Sequence, residues 1–364
     1  MCFSINDFRL REINRKSEIG NYMMDGILII DKPAGVTSHD VVYRARKILK
    51  EKRIGHTGTL DPFATGVLVL MVGRATRLAQ FLNTDVKEYQ AAVRFGFETD
   101  TGDLTGNPRI ADFSEIENRK HLRWKIENEL EESLKKLRGE ILQTPPMYSA
   151  KKVQGKRLYK LAREGKEIER KPVPVTIYKF EVVRQTASLS NASVISDNEQ
   201  AGNLSKKNEQ AGNLFYINED ETIDLNVRVV CSAGTYIRVL AESLGAELDT
   251  GAHLASLRRT SAGDFKIEQS VTLEKLQEMV DSNRLNEILL PMKTALSKLE
   301  SLHLTPADTK KVCNGMALKI EKVDWEDGEA VSLFDENGNL IAVAFYKDVA
   351  KRLQPGVVLA TLKN

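Results

Sequence analysis

The feature that most constrains the fold of this chain is a pair of short, unbroken apolar runs, Gly26–Asp31 (GILIID) and Val67–Val72 (VLVLMV). Runs of this length, bounded by turn residues, read as buried strands. Lys32-Pro33-Ala34-Gly35 turns the chain after the first run. Thr37 or Ser38 can then cap a helix reaching about Lys50, with Val41, Val42, Ala45, Ile48 and Leu49 on one face and Arg44, Arg46, Lys47 and Lys50 on the other. A polar, glycine-rich loop, Arg53–Gly66, leads into the second strand, which anchors it.

Further along, residues 87–97 alternate as a strand does, and Phe113–Arg138 is a charged amphipathic helix stopped by Gly139. Thr144–Ser149, with two prolines, must be an irregular loop. Val173–Gln185 and Thr222–Ser232 are rich in Val and Ile and read as strands. The polar stretch between them, 186–219, holds the heptapeptide NEQAGNL twice, at Asn198–Leu204 and Asn208–Leu214. Its few large apolar groups cannot offset the entropy of ordering it, so a flexible repeat insertion at a hairpin tip is expected. An amphipathic helix follows Thr235 and ends near Gly251, and another begins at Thr272. Residues 300–364 break into short apolar runs between turns. The expected architecture is α+β, with a mixed-sheet domain at 25–295 and a small C-terminal β domain at 296–364.

Charge sets limits on function. Lys and Arg number 53 against 51 Asp and Glu, a net charge of +2, so any affinity for nucleic acid must come from local patches. Residues 151–171 hold nine basic residues and three Glu, and residues 39–56 hold six basic and two acidic ones. Such clusters can neutralise phosphates or simply form a solvated helix face. The three cysteines are far apart with no CxxC pair, and the five histidines are scattered, so no metal site is expected. No apolar run approaches the roughly 20 residues of a membrane span. The first 24 residues lack the apolar core of a signal peptide and read as a loose tail, with Met23 and Met24 offering a later start.

The segment with most chemical content is Gly55–Gly66 (GHTGTLDPFATG). Pro62 pushes Asp61 into an extended conformation, and the glycines let the backbone turn sharply or approach a ligand. Asp61 is therefore a carboxylate presented on a shaped loop, suited to a nucleophile or base. An Asp before Pro is equally at home capping a turn.

GHTGTLDPFATGVL resembles the signature of TruB-type tRNA pseudouridine synthases. Further blocks resemble the family in the same order: GILIIDKPAGVTSHD, Lys87-Glu88-Tyr89 with FGFETDTGD, TPPMYSAKKVQGKRLYKLAREG, CSAGTYIRVLAESLG, and Gly251–Leu254 with Leu257-Arg258-Arg259. They span about residues 25–265. The resemblance implies that Asp61 is the catalytic aspartate, that Tyr89 stacks on the target uracil and handles the proton at C5, and that Arg238 pairs with Asp61. It implies pocket-wall roles for Tyr236 and Leu257, a role for His56 in holding an RNA loop with its target base turned out, and supporting roles for Lys32 and Asp100.

The implied reaction converts uridine 55 in the T-arm loop of tRNA to pseudouridine, by covalent attack of the aspartate on C1′ of the ribose or C6 of the base. It is an isomerisation, so no cofactor is expected, and the absence of GxGxxG and P-loop motifs agrees. The resemblance makes Lys151, Lys152, Lys156 and Arg157 candidates to grip the T-stem backbone, and makes the C-terminal β domain a PUA-like RNA-binding module. A cytoplasmic monomer acting on tRNA is expected. Two rivals share these motifs: a guide-RNA-dependent pseudouridine synthase, and an RNA-folding chaperone using the same surface.

Overall fold

The protein is described from a computed structural model covering residues 24–360, apart from 83–85, 110–118, 150, 154, 167, 184–214, 219, 221 and 321–323. Both copies of the NEQAGNL repeat and the tail before Met24 lie outside the described residues.

In chain order the described elements begin with β1 (Gly26–Lys32), α1 (Ser38–Leu49), β2 (Ile54–Thr57), β3 (Thr65–Val72) and β4 (Lys87–Phe95). A small hairpin, β5 (Glu98–Thr99) and β6 (Pro108–Arg109), precedes α2 (Arg119–Lys136) and β7 (Gly139–Gln143). The ribbon β8 (Lys152–Val153) and β9 (Lys156–Arg157) leads to α3 (Leu158–Arg163), β10 (Val173–Val182), β11 (Phe215–Ile217) and β12 (Ile223–Cys231). Then come α4 (Ile237–Glu247), β13 (Ala252–Ala262), β14 (Phe265–Lys266) and α5 (Leu273–Asp281).

One mixed sheet organises these elements in the order β1-β3-β13-β4-β12-β10-β7, with β2, β11 and β14 paired at its margins. Most neighbours are antiparallel; β13 meets β3 in parallel through Arg258↔Thr65 and Arg259↔Gly66. The two patterns of apolar residues have separate causes. Strands β1 and β3 are covered on both faces and read as continuous apolar runs. On one side Leu28, Ile30, Leu68 and Leu70 pack against Val41, Val42, Ala45 and Leu49 of α1. On the other, Ile27, Ile29, Val67 and Val69 share a core with Val343, Val357 and Leu359 of the C-terminal sheet. Strands β4 and β12 alternate because only one face is covered: Ala91, Val93, Leu225 and Val227 bury against α2 and α4.

The second sheet runs β15-β17-β18-β19-β16, with β15 (Glu300–His303), β16 (Leu318–Lys319), β17 (Ala330–Phe334), β18 (Leu340–Lys347) and β19 (Arg352–Val358). It has its own core around Val331, Leu333, Ala342, Ala344 and Leu353, closed by α6 (Pro306–Cys313). Arg74 joins the two sheets, donating to Leu359 O at 2.5 Å while pairing with Asp25 at 2.6 Å.

Three expectations are corrected. The loop read as Arg53–Gly66 holds a short strand, β2, because Ile54 and Thr57 bury at 2% and 4% exposure where it pairs with β3; with glycine and histidine between them it has neither an apolar run nor an alternation to mark it. The stretch read as polar up to 219 ends sooner, since β11 pairs with β12 from Phe215↔Leu225 to Ile217↔Ile223. The basic run 151–171 is no single helix face: its first third is the β8–β9 ribbon, with Leu158–Arg163 alone helical among the described residues. Thr37, rather than Ser38, caps α1, in a reciprocal capping box with Asp40.

Candidate active site

The loop from Gly58 to Ala64 is fixed before it is functional. Ser38, at the first turn of α1, holds Leu60 from both sides: its Oγ accepts from Leu60 N at 2.9 Å and donates to Leu60 O at 3.1 Å. Gly35 N donates to Pro62 O at 2.9 Å, and Ala64 N closes a turn on Asp61 O at 3.1 Å. Lys32, at 0% exposure, donates from Nζ to the carbonyls of Pro33, Pro62 and Ala64. Gly66 needs its freedom: φ is +100°, and a Cβ there would stand 2.2 Å from Arg259 O.

Asp61 faces a cavity of about 240 Å³ whose walls include Tyr89, Tyr236, Arg238, Leu257 and Arg259. Its side chain is 35% exposed, open to an incoming group. Arg238, the second residue of α4, brings Nε to 2.9 Å from Asp61 Oδ2. Both terminal nitrogens are engaged as well, Nη1 donating to Thr101 O and Nη2 to Tyr148 O, both at 2.7 Å. A lysine has no such planar fork and could not hold all three partners. Burial pushes the Asp61 carboxyl above the usual range, the Arg238 charge opposes this, and Asp103 adds to the rise.

Tyr89 lies at 7% exposure on β4, opposite Arg259 in the β4–β13 register. Burial raises its phenol above the usual range, with Arg259 pulling it back. Cys231, on β12, is fully buried and its thiol is pushed up to about 11 by desolvation.

The residues singled out in the sequence divide into two groups. Asp61, Tyr89, Tyr236, Arg238 and Leu257 converge on the cavity from the loop after β2 and from β4, α4 and β13. Lys32 sits behind the Asp61 loop and hydrogen-bonds backbone carbonyls there; desolvation lowers its ammonium to about 8. His56 stands on β2 outside the cavity wall, its Nδ1 buried without a partner among the described residues, and burial lowers its pKa. Asp100 is not brought to the cavity: it accepts from Asn107 N at 2.9 Å and shapes the β5–β6 hairpin. Its neighbour Asp103 takes the inner position, at 4% exposure and 3.8 Å from Arg238 Nε. Lys151 is partly buried, and Lys152, Lys156 and Arg157 lie on the β8–β9 ribbon, close in sequence to the cavity-wall residue Ser149.

Three residues were missed by the reading of the sequence. Besides Asp103, Gln143 at the end of β7 clamps the start of α4, accepting from Tyr236 N at 2.9 Å and donating to Tyr236 O at 3.3 Å. Arg259 lies in the cavity wall at 1% exposure. Among the described residues no cluster of His, Cys, Asp or Glu is arranged to hold a metal ion, and no helix is long and apolar enough to cross a membrane.

Comparison with known proteins gives a consistent picture. Residues 46–200 match the TruB family pseudouridylate synthase (N terminal domain), and residues 238–297 match the tRNA pseudouridylate synthase B C-terminal domain. The second match ends just before the five-stranded sheet begins. The tRNA pseudouridine synthase B of a Bacillus cereus strain is 39% identical over 321 residues, covering 88% of this chain and 92% of the relative. That of Bacillus pumilus is 35% identical, covering 94% and 100%. Among solved structures, the archaeal box H/ACA sRNP Nop10-Cbf5 complex aligns with a TM-score of 0.61 at 22% identity, over 93% of this chain and 88% of that one. A Cbf5-Nop10-Gar1 complex aligns at 0.60 and 24%, over 94% and 85%. These structural likenesses show the mixed-sheet fold.

Proposed function

Because the chain belongs to the TruB family of pseudouridine synthases, we propose that it is a tRNA pseudouridine synthase that isomerises uridine 55 in the T-arm loop, with Asp61 as nucleophile. The observation that carries this reading is the Asp61–Arg238 ion pair set in one cavity with Tyr89.

Isomerisation breaks the N1–C1′ bond, turns the uracil and forms a C5–C1′ bond. Asp61 must be ionised to attack, yet burial alone favours its neutral form. The Arg238 guanidinium holds the charge, and its three fixed contacts keep it aimed. Tyr89 offers an aromatic face for the detached base and a hydroxyl for the proton at C5. Tyr236 and Leu257 supply the remaining walls against which the base can turn.

A stacked base cannot enter such a cavity, so the target nucleotide is flipped out, at a cost of a few kcal/mol that is lowest in a loop. His56 holds the RNA loop open in this reading, and the basic segment containing Lys151, Lys152, Lys156 and Arg157 grips the adjoining stem. The five-stranded domain is assigned the part of a PUA-like RNA-binding module. The chain works as a cytoplasmic monomer that needs no guide RNA.

The test is direct. Purified protein is incubated with an unmodified tRNA transcript alone, and pseudouridine is mapped along the product. Pseudouridine at position 55, absent from a transcript carrying cytidine there, is expected. Modification at a different uridine, or only when a guide RNA is added, would sink the assignment.

A further inference from the structure

Arg259 is a buried cation in the cavity wall, and the catalytic pairing of Asp61 with Arg238 leaves it without a task. Its guanidinium is held by neutral partners: Nε donates to Val67 O at 2.7 Å and Nη2 to Gly58 O at 2.8 Å. Tyr89 is its direct partner across the β4–β13 pairing, both side chains line the one cavity, and the Arg259 charge draws the phenol pKa down. Taking a guanidinium to 1% exposure carries a desolvation penalty that neutral carbonyls offset only in part. Packing would be served more cheaply by an apolar side chain of similar size.

The loop is shaped around this residue. Gly58 has φ of +64°, and a Cβ there would stand 3.1 Å from Arg259 Nη1; at Gly66 a Cβ would meet the Arg259 backbone. One residue therefore touches both ends of the Asp61 loop and stands opposite Tyr89 in the sheet.

We propose that Arg259 is a positioning residue for Tyr89, holding a fixed positive charge beside its phenol at the cavity wall. The proposal rests on the function read above in one respect, that Tyr89 handles the proton at C5. Charge beside the phenol favours loss of its own proton to water against a strong desolvation penalty; the phenolate then takes the proton from C5, which restores the phenol, and N1 of the product base takes a proton from water. The other groups facing Tyr89 are Asp61 from the loop and Cys231 from β12, both of which oppose ionisation. Lys87 and Arg238 also line the cavity.

The test uses the full chain with Arg259→Gln, Arg259→Lys, Tyr89→Phe and the double variant Tyr89→Phe/Arg259→Gln. Phenolate absorbance is titrated, with Tyr89→Phe subtracted to isolate the one tyrosine, and Arg259→Gln should move its ionisation to higher pH. On tRNA, kcat of Arg259→Gln should fall on the order of 10–100-fold with KM within about twofold of wild type. In the Tyr89→Phe background the same substitution should cost less than about twofold more, because its effect runs through the missing hydroxyl. If Tyr89→Phe turns over too slowly to measure, the titration decides. Arg259→Lys, which keeps charge but not the fork, should recover part of the rate and of the titration; if Arg259→Gln does not fold, a wild-type kcat in Arg259→Lys overturns the proposal. An unmoved Tyr89 titration, or equal losses in both backgrounds, also overturns it. The titration needs no activity, so failure to make pseudouridine at all would count against the proposed function and leave the Arg259–Tyr89 link separately judged.

Discussion

Lys32 and Ala64 are joined by a buried hydrogen bond of 2.6 Å from ammonium to carbonyl, which ties the end of the first strand to the far side of the Asp61 loop. A second bond to Pro62 O at 3.1 Å makes the lysine a brace behind the carboxylate. Lys32→Met should leave these carbonyls without a donor and destabilise the fold by about 1–3 kcal/mol. The lysine also leaves a signature in pH. Its folded pKa of about 8 lies below the ordinary lysine value of 10.5, so below pH 8 it is charged in both states and its burial penalty is fully present. Between 8 and 10.5 the unfolded chain holds the extra proton, and stability gained from Lys32 rises with pH. Urea midpoints of wild type and Lys32→Met should therefore draw further apart from about pH 7.5 to about pH 10; a constant gap would contradict the lowered pKa.

Asp61→Asn should abolish isomerisation while tRNA binding persists, since the amide keeps the shape of the loop and loses the nucleophile. Residual turnover above about one-thousandth of wild type, after contaminants are excluded, would count against a covalent role.

For the pair itself, the acid side of the kcat/KM profile should report the Asp61 carboxyl, whose folded pKa lies above the usual range. Activity needs the ionised form, so it is lost as pH falls through that value. Arg238→Gln removes the cation that favours ionisation, and the acid limb should move to higher pH as the maximal rate drops. A limb that stays in place would show that a different group sets it.

The insertion should be dispensable only up to the edge of β11. Replacing residues 186–212 by a short turn should preserve folding and activity, on account of the repeated, apolar-poor sequence. Extending the deletion through Ile217 removes the Phe215↔Leu225 pairing and should lower the melting temperature. Equal melting temperatures for the two deletions would mean that β11 contributes nothing to stability.

Neutralising Lys151, Lys152, Lys156 and Arg157 together should weaken tRNA binding and flatten its salt dependence. Each lost phosphate contact removes roughly 0.7–0.9 from the slope of log affinity against log salt. Turnover at saturating tRNA should change little. An unchanged slope in a folded variant would take this ribbon off the RNA-binding surface.

What the sequence determined by itself was whatever depends on near neighbours. The unbroken runs of β1 and β3, the alternation of β4 and the start of α1 at Thr37 or Ser38 follow from spacing within a few residues, so each was legible. The shaped loop around Asp61 was legible for the same reason, through Pro62 and the flanking glycines. The family motifs carried Tyr89, Arg238, Tyr236 and Leu257, whose convergence on one cavity is a fact of the fold. Tertiary structure alone decided the choice between Asp100 and Asp103. Both are carboxylates in one tight turn, and the direction of that turn relative to α4 sends one to Asn107 and the other toward Arg238. Gln143 and Arg259 were likewise hidden, because their partners stand 93 and 201 residues away and meet them only when β7, α4, β13 and the loop are packed together. A buried polar side chain takes its role from the groups that remove it from water, and those are supplied by topology.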